Sequence, residues 1–228
     1  MKTRLILLLA VIIVSACSNN QDEWTKPFNG VDLEGWKILG GEGTYSVIDE
    51  EIIGTTKGTA NTFLATEKPY GDFILELEVF VDPRMNSGIQ FRSAQKENGT
   101  VFGYQAEIDP SDRKWSGGLY DESRRGWLYP LDLNEAGKSA FQNNTWNKYR
   151  IEAVGDLIHI WVNDICTAAV KDSVSGSGFI ALQVHGVGTK EEEGRRVKWR
   201  NIRLKTTGQK ESMKEVPTSV EILNLLEK

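Results

Sequence analysis

Gly103-Tyr104-Gln105-Ala106-Glu107-Ile108-Asp109 alternates with period two. As a strand it places Gln105, Glu107 and Asp109 on one face and Tyr104, Ala106 and Ile108 on the other. Two further stretches repeat the device. Ile89-Gln90-Phe91-Arg92 sets Gln90 and Arg92 against Ile89 and Phe91, and Ala181-Leu182-Gln183-Val184-His185 sets Gln183 and His185 against Leu182 and Val184. Three strands thus bring to a common face side chains that donate, accept and titrate, as recognition of a polyhydroxylated ligand requires. A merely solvated sheet face has the same alternation.

Outward from these stretches, the chain reads as strands cut by Gly, Asn and Asp turns. Residues 44–49 and 51–55 suit a hairpin, and residues 73–81 a long strand with Phe73, Leu75, Leu77 and Val79 on one face. Residues 148–154, 157–162 and 165–170 suit a meander, within which His159 is expected at the surface. Residues 196–205 alternate until a break at Arg200 and Asn201 that suggests a bulge. Between the strands, residues 111–147 form a long loop rich in aromatic residues, with one helical turn expected at 133–140. These signals predict an all-β, two-sheet antiparallel sandwich, a jelly roll with one polar outer face. Trp36, Trp146, Trp161 and Trp199 are expected in its core.

At the N-terminus, Lys2 and Arg4 precede an apolar run, residues 5–14, that is too short to span a bilayer and ends at Ser15-Ala16-Cys17. Val14-Ser15-Ala16-Cys17 looks like a bacterial lipobox, which makes Cys17 the lipidated first residue of the mature chain; the alternative is an ordinary secretory signal. The expected division is a signal peptide at 1–16, a tether at 17–26, one β-domain at 27–206 and a tail at 207–228. In the tail, Thr218 and Glu221 suggest a capping box opening a short helix at 217–228. The expected location is the cell envelope, periplasmic or on the outer-membrane surface, with the membrane touched through the lipid alone. The full chain carries a net charge of −5, and loss of Lys2 and Arg4 leaves the mature protein more acidic, which argues against nucleic acid as a partner. With Cys17 acylated, Cys166 has no partner and reads as an inert buried thiol.

Residues 27–205 contain an ordered set of motifs: Pro27-Phe28-Asn29-Gly30, Gly35-Trp36, Asn86-Ser87-Gly88-Ile89-Gln90-Phe91-Arg92, Gly103 to Asp109, Gly117-Gly118-Leu119-Tyr120-Asp121, Trp146-Asn147, and the late Gln183 and His185. The set resembles the 3-keto-disaccharide hydrolase domain family. Pro110-Ser111-Asp112-Arg113 and Arg124-Arg125-Gly126-Trp127 look like one subgroup. Other members carry Glu and then Gln where this chain has Gln105 and Glu107. The resemblance implies a concanavalin-A-like fold and cleavage of the glycosidic bond of 3-keto-glycosides or related disaccharides.

A 3-keto sugar has an acidified proton at C2. Its removal expels the aglycone through an enolate, and hydration of the enone completes a net hydrolysis. This needs a base near neutrality, a cation or donor at the C3 oxygen and an acid for the leaving group. Glu107 and His185 are the candidate acid and base, and Arg92 the candidate enolate partner. Gln90, Gln105, Asp109, Asp121 and Gln183 are candidates to hold hydroxyls. Trp115, Tyr120 and Trp127 are candidates to stack on sugar rings, though loop aromatics also pin loops to cores. Two-carboxylate glycosidase chemistry with Glu107 and Asp109 stays open, since alternate residues on one strand face lie about 6.5 to 7 Å apart. A divalent metal (Mn, Co, Ca or Zn) on Glu107, Asp109 and His185 is a third arrangement. A non-catalytic, lectin-like carbohydrate-binding domain and a purely structural surface protein are the alternatives to an enzyme.

Overall fold

The structure, a computed structural model, describes residues 24–226, so Cys17 and the expected signal peptide lie outside the described residues. Fifteen strands account for nearly half of them: β1 (Trp36–Gly40), β2 (Thr44–Ile48), β3 (Glu51–Thr55), β4 (Thr62–Thr66), β5 (Phe73–Val81), β6 (Ser87–Gln95), β7 (Val101–Ile108), β8 (Leu119–Glu122), β9 (Gly126–Tyr129), β10 (Asn147–Val154), β11 (Leu157–Val162), β12 (Ile165–Lys171), β13 (Phe179–Val184), β14 (Arg196–Lys205) and β15 (Leu223–Asn224). They form two sheets, one ordered β1-β4-β13-β6-β7-β8-β9 and the other β15-β12-β11-β10-β5-β14-β3-β2. Every pairing is antiparallel except β12 with β15. This is the sandwich expected from the strand spacing.

The sheets are held together by the inward half of each alternation. Along β5, Phe73, Leu75, Leu77, Val79 and Val81 are all buried. They meet Ile89, Phe91, Tyr104, Ala106 and Ile108 of β6 and β7 in one cluster. Fully burying a side chain of this size stabilises the fold by about 1.5–3 kcal/mol. Because the inward residues of β7 are Tyr104, Ala106 and Ile108, its other face must present Gln105 and Glu107. The bulge in β14 falls between Arg200 and Arg203, with Asn201 at φ +53.

Four expectations change. Residues 111–147 are not one long loop: Leu119 to Tyr129 form the β8–β9 hairpin, which extends the seven-stranded sheet, and short 3-10 turns follow at Leu131–Leu133 and Gly137–Ser139. The tail forms its helical turn, α1, at Gln209–Ser212; Pro217 to Val220 make a hydrogen-bonded turn instead of a capped helix, and Leu223–Asn224 joins the sheet as β15. That tail covers one face of the whole meander, β10 to β12. Lys214 N donates to Glu152 Oε1 (2.9 Å) and Arg150 Nη2 to the Ser212 carbonyl (2.5 Å), while Val216 and Val220 pack against Trp161, Cys166 and Ala169. His159, expected at the surface, is therefore buried, with Nδ1 3.3 Å from Glu152 Oε2. Trp36 and Trp199 are core residues and Trp161 belongs to the cluster under the tail. Trp146 is only half-buried, its ring 4.0 Å from the Arg200 guanidinium.

Candidate functional site

The outer face of the seven-stranded sheet carries a cleft of about 450 Å³ lined, mostly with polar side chains, by β7, β8, β9 and β13, by residues at the ends of β4 and β6, and by Arg113 from a loop. Cross-strand register builds it in rows. Gln183 of β13 pairs with Gly88 of β6, which pairs with Glu107 of β7. One row down, Gln90 pairs with Gln105, Gln105 with Tyr120 of β8, and Tyr120 with Trp127 of β9. Past the strand ends, Asn61, Asn86, Asp109 and His185 continue the outward phase and form the upper rim.

Glu107 is on the floor, 4% exposed. Asn86 Nδ2 donates to its Oε1 (2.5 Å) and Gln105 Nε2 to its Oε2 (3.0 Å), with Arg113 Nη2 4.0 Å from Oε1. Burial outweighs these donors and pushes the carboxyl up to about 7, aided by the charge of Asp109. Asp109 goes the other way. Burial alone would raise it, but Ser111, through its hydroxyl and its N–H, and the Arg113 guanidinium (Nε to Oδ2, 2.7 Å) hold it below the usual carboxylate range. One strand face thus carries a carboxyl poised near neutrality and, two residues on, a fixed carboxylate. Glu122, on the β8 wall, is raised by burial and meets only the neighbouring Ser123 hydroxyl among the described hydrogen bonds (3.4 Å).

Arg113 spans the top. Its guanidinium carbon lies 4.5 Å from the Trp115 ring and 5.2 Å from the Trp127 ring, so two indoles and the Asp109 carboxylate fix the charge over the cleft. Trp115 meets Trp127 edge-on at 4.6 Å and donates to Asp132. Gln183, 1% exposed, lines the cleft with neither its amide nitrogen nor its amide oxygen hydrogen-bonded to protein. A buried amide without partners is costly, and a ligand entering the cleft would satisfy it.

The structure gathers Gln105, Glu107, Asp109, Tyr120, Trp127, Gln183 and His185 into one cleft; His185 is exposed just beyond β13, with Nδ1 2.7 Å from the Gly186 carbonyl. Four candidates fall elsewhere. Arg92 breaks the alternation, because β6 bulges between Phe91 and Ala94 and Arg92 sits at φ +44. Its side chain turns away from the cleft to the Gly71 and Gly155 carbonyls (2.9 and 2.8 Å) and Asp72 (2.8 Å). Ser93 takes the outward place, hydrogen-bonded to Gln90. Asp121 has the inward phase of β8 and is buried in ion pairs with Arg124 and Arg125, the latter also pairing with Asp172. Trp115 backs the wall and Gln90 stands beside Gln105 in the same row; neither Trp115 nor Gln90 lines the cleft. The metal set is not assembled: among the described residues no three His, Cys, Asp or Glu side chains are arranged to hold an ion. Glu107 and Asp109 instead face amides and Arg113.

Sequence reasoning missed Asn61, Asn86, Arg113 and Glu122. Asn61 and Asn86 carry the phase of Phe63 and Gly88 one step beyond their strands, and Glu122 carries that of Tyr120, so alternation run past the strand ends would have found them. Arg113 lies in a loop without periodicity.

Among solved structures, a protein from Parabacteroides distasonis ATCC 8503 provisionally assigned as a glycosyl hydrolase is similar at TM-score 0.58 and 17% identity, over 80% of this chain and 93% of that one. The carbohydrate-binding module CBM66 from Bacillus subtilis aligns at TM-score 0.54 and 18% identity, over 75% and 95%. A Bacillus subtilis protein of unknown function with a galectin-like fold aligns at 0.57 and 12%, over 81% and 94%. At these identities the likeness is one of fold. No curated protein matches the chain. Residues 23–205 match the sequence pattern of the 3-keto-alpha-glucoside-1,2-lyase-like domains, and the chain belongs to that family.

Proposed function

We propose that the protein cleaves the glycosidic bond of 3-keto-glycosides by removing the C2 proton, expelling the aglycone and hydrating the resulting enone. The observation that carries this reading is Glu107, a carboxyl near 7 on the floor of the cleft, below a cationic Arg113. A group with that pKa is divided between its two forms at neutral pH, as a base that must later return its proton requires. Arg113 takes the charge-stabilising role first expected of Arg92, since its guanidinium faces the cleft and Arg92 does not. Glu122 and His185 stand on the walls as donors for the departing oxygen. Gln183, Asn61 and Asn86 supply amides for hydroxyls, and Tyr120 and Trp127 a flat wall for a ring face.

Non-catalytic binding of carbohydrate is the second reading, favoured by the unpartnered amide of Gln183, which serves recognition without any reaction. The two are separated by incubating the purified domain with a 3-keto-disaccharide and its unoxidised parent. Cleavage of the keto sugar alone supports the enzyme, and binding of both without cleavage supports the module. The chain is further proposed to be held at the cell envelope through a lipid on Cys17, on the strength of Val14-Ser15-Ala16-Cys17.

A further inference from the structure

Ser93, Gln90 and Gln105 form a chain of side-chain hydrogen bonds that ends on Glu107. Ser93 Oγ donates to Gln90 Oε1 (2.7 Å), Gln90 Nε2 donates to Gln105 Oε1 (2.7 Å), and Gln105 Nε2 donates to Glu107 Oε2 (3.0 Å). All four side chains are buried. The backbone makes room at both ends: a Cβ on Gly88 would stand 2.3 Å from Gln105 Cδ, and one on Gly103, at φ +133, would stand 2.5 Å from Ser93 Oγ.

The two ends of a carboxamide are nearly the same size, so a half-turn exchanges donor and acceptor without needing space. Two arrangements then satisfy every atom in the chain. With Glu107 ionised, donation runs from Ser93 to the carboxylate as described above. With Glu107 protonated, Oε2–H donates to Gln105 Oε1, Gln105 Nε2 to Gln90 Oε1, and Gln90 Nε2 to Ser93 Oγ; the Ser93 hydroxyl turns to the Phe91 carbonyl, 3.0 Å away. Glu107 Oε1 keeps its hydrogen bond from Asn86 in both. Any mixed arrangement sets two donors or two acceptors face to face in a dry interior, which is the costly case.

We infer that Ser93, Gln90 and Gln105 are a two-state relay that reverses as a unit when Glu107 gains or loses its proton, with Gln90 and Ser93 as positioning residues for a carboxyl that serves first as base and then as acid. The inference rests on the proposed function for its catalytic meaning. The proton taken from C2 is carried on Glu107 and leaves from Glu107 to solvent or back to C2 when the enone is hydrated; along the relay the amides rotate and no N–H bond breaks. The other groups facing Glu107 are Asp109, Arg113, Tyr120 of β8 and Tyr149 of β10, whose hydroxyl donates to the Glu107 carbonyl (2.9 Å), with Glu122 and His185 on the cleft walls. Among the described hydrogen bonds none joins these groups to Gln90 or Ser93, so a response at Gln90 reports the relay.

The test is a side-chain NMR titration of the folded protein without substrate. The Glu107 carboxyl carbon and the side-chain amides of Gln105 and Gln90 are expected to shift with one common midpoint. In E107Q, where an amide donor replaces the acid hydroxyl, the Gln90 and Gln105 signals should lose their pH dependence and match the wild type at acid pH. Gln90 signals that stay constant through the Glu107 midpoint would overturn the relay. Because no sugar is present, this result is independent of whether the 3-keto chemistry is right.

Discussion

Gly88 leaves empty the space that Gln105 fills: a Cβ there would lie 2.3 Å from Gln105 Cδ and 2.6 Å from its Cγ. The strand itself tolerates alanine, so Gly88→Ala separates the site from the fold. The displaced Gln105 can no longer donate to Glu107 Oε2. Activity should fall on the order of 10–10²-fold while the unfolding midpoint moves by only a few degrees, as measured by steady-state rates and thermal melts on the same sample.

Glu107 ties stability to pH. Its folded pKa is raised from 4.5 to about 7, so the folded state holds this proton more tightly than the unfolded chain. The stabilisation is fully present below about pH 4.5 and is lost as pH rises through 7. Over that window the wild type should lose roughly 2–3 kcal/mol that Glu107→Gln does not lose, read from denaturant unfolding at several pH values. The rate of a base-dependent step should rise over the same interval, with kcat/KM showing a limb near 7.

The two arginines should respond in opposite ways. Arg92→Ala leaves the Gly71 and Gly155 carbonyls and the half-exposed Asp72 without their guanidinium, so it should cost about 2–3 kcal/mol of stability. Arg113, 44% exposed, should cost little stability when replaced by Ala but about 10²-fold or more in kcat. A variant of Arg92 that folded normally and lost only turnover would return that residue to the reaction.

Much of this was legible in the alternation of short segments. Tyr104, Ala106 and Ile108 against Gln105 and Glu107 fixed a face, and Leu182 and Val184 against Gln183 and His185 marked a second strand with the same two faces, which the structure sets across β6 from the first. Period two is broken only by something local, and at Arg92 it was broken by a bulge that no composition signal marks. The same limit hid the β8–β9 hairpin, whose strands are only four residues each, and Arg113, which reaches the site from a loop. The tail misled for another reason: Thr218 and Glu221 have the spacing of a capping box, but Val216, Val220 and Leu223 are drawn onto the sheet and its clusters.

Gln183 offers a test of ligand recognition apart from chemistry. Its amide is buried without protein partners, so Gln183→Met should leave the free protein as stable or about 1 kcal/mol more stable. Affinity for a sugar ligand should drop about tenfold in calorimetric titration, since a hydroxyl would lose its partner. Unchanged affinity would remove Gln183 from the binding surface.

Cys17→Ser should release the protein from membranes without altering the melting profile of the domain, as checked by fractionation of cells expressing each form. Retention in the membrane fraction would end the lipid-anchor reading.

The central claim, that Glu107 takes the C2 proton of a keto sugar, is tested most directly by cleaving a 3-keto-glycoside in deuterated water and examining C2 of the released sugar. The account predicts deuterium at C2, cleavage of the keto substrate with its 3-hydroxy parent left intact, and loss of both turnover and label in Glu107→Gln. Cleavage of both substrates at similar rates with no deuterium at C2 would contradict it.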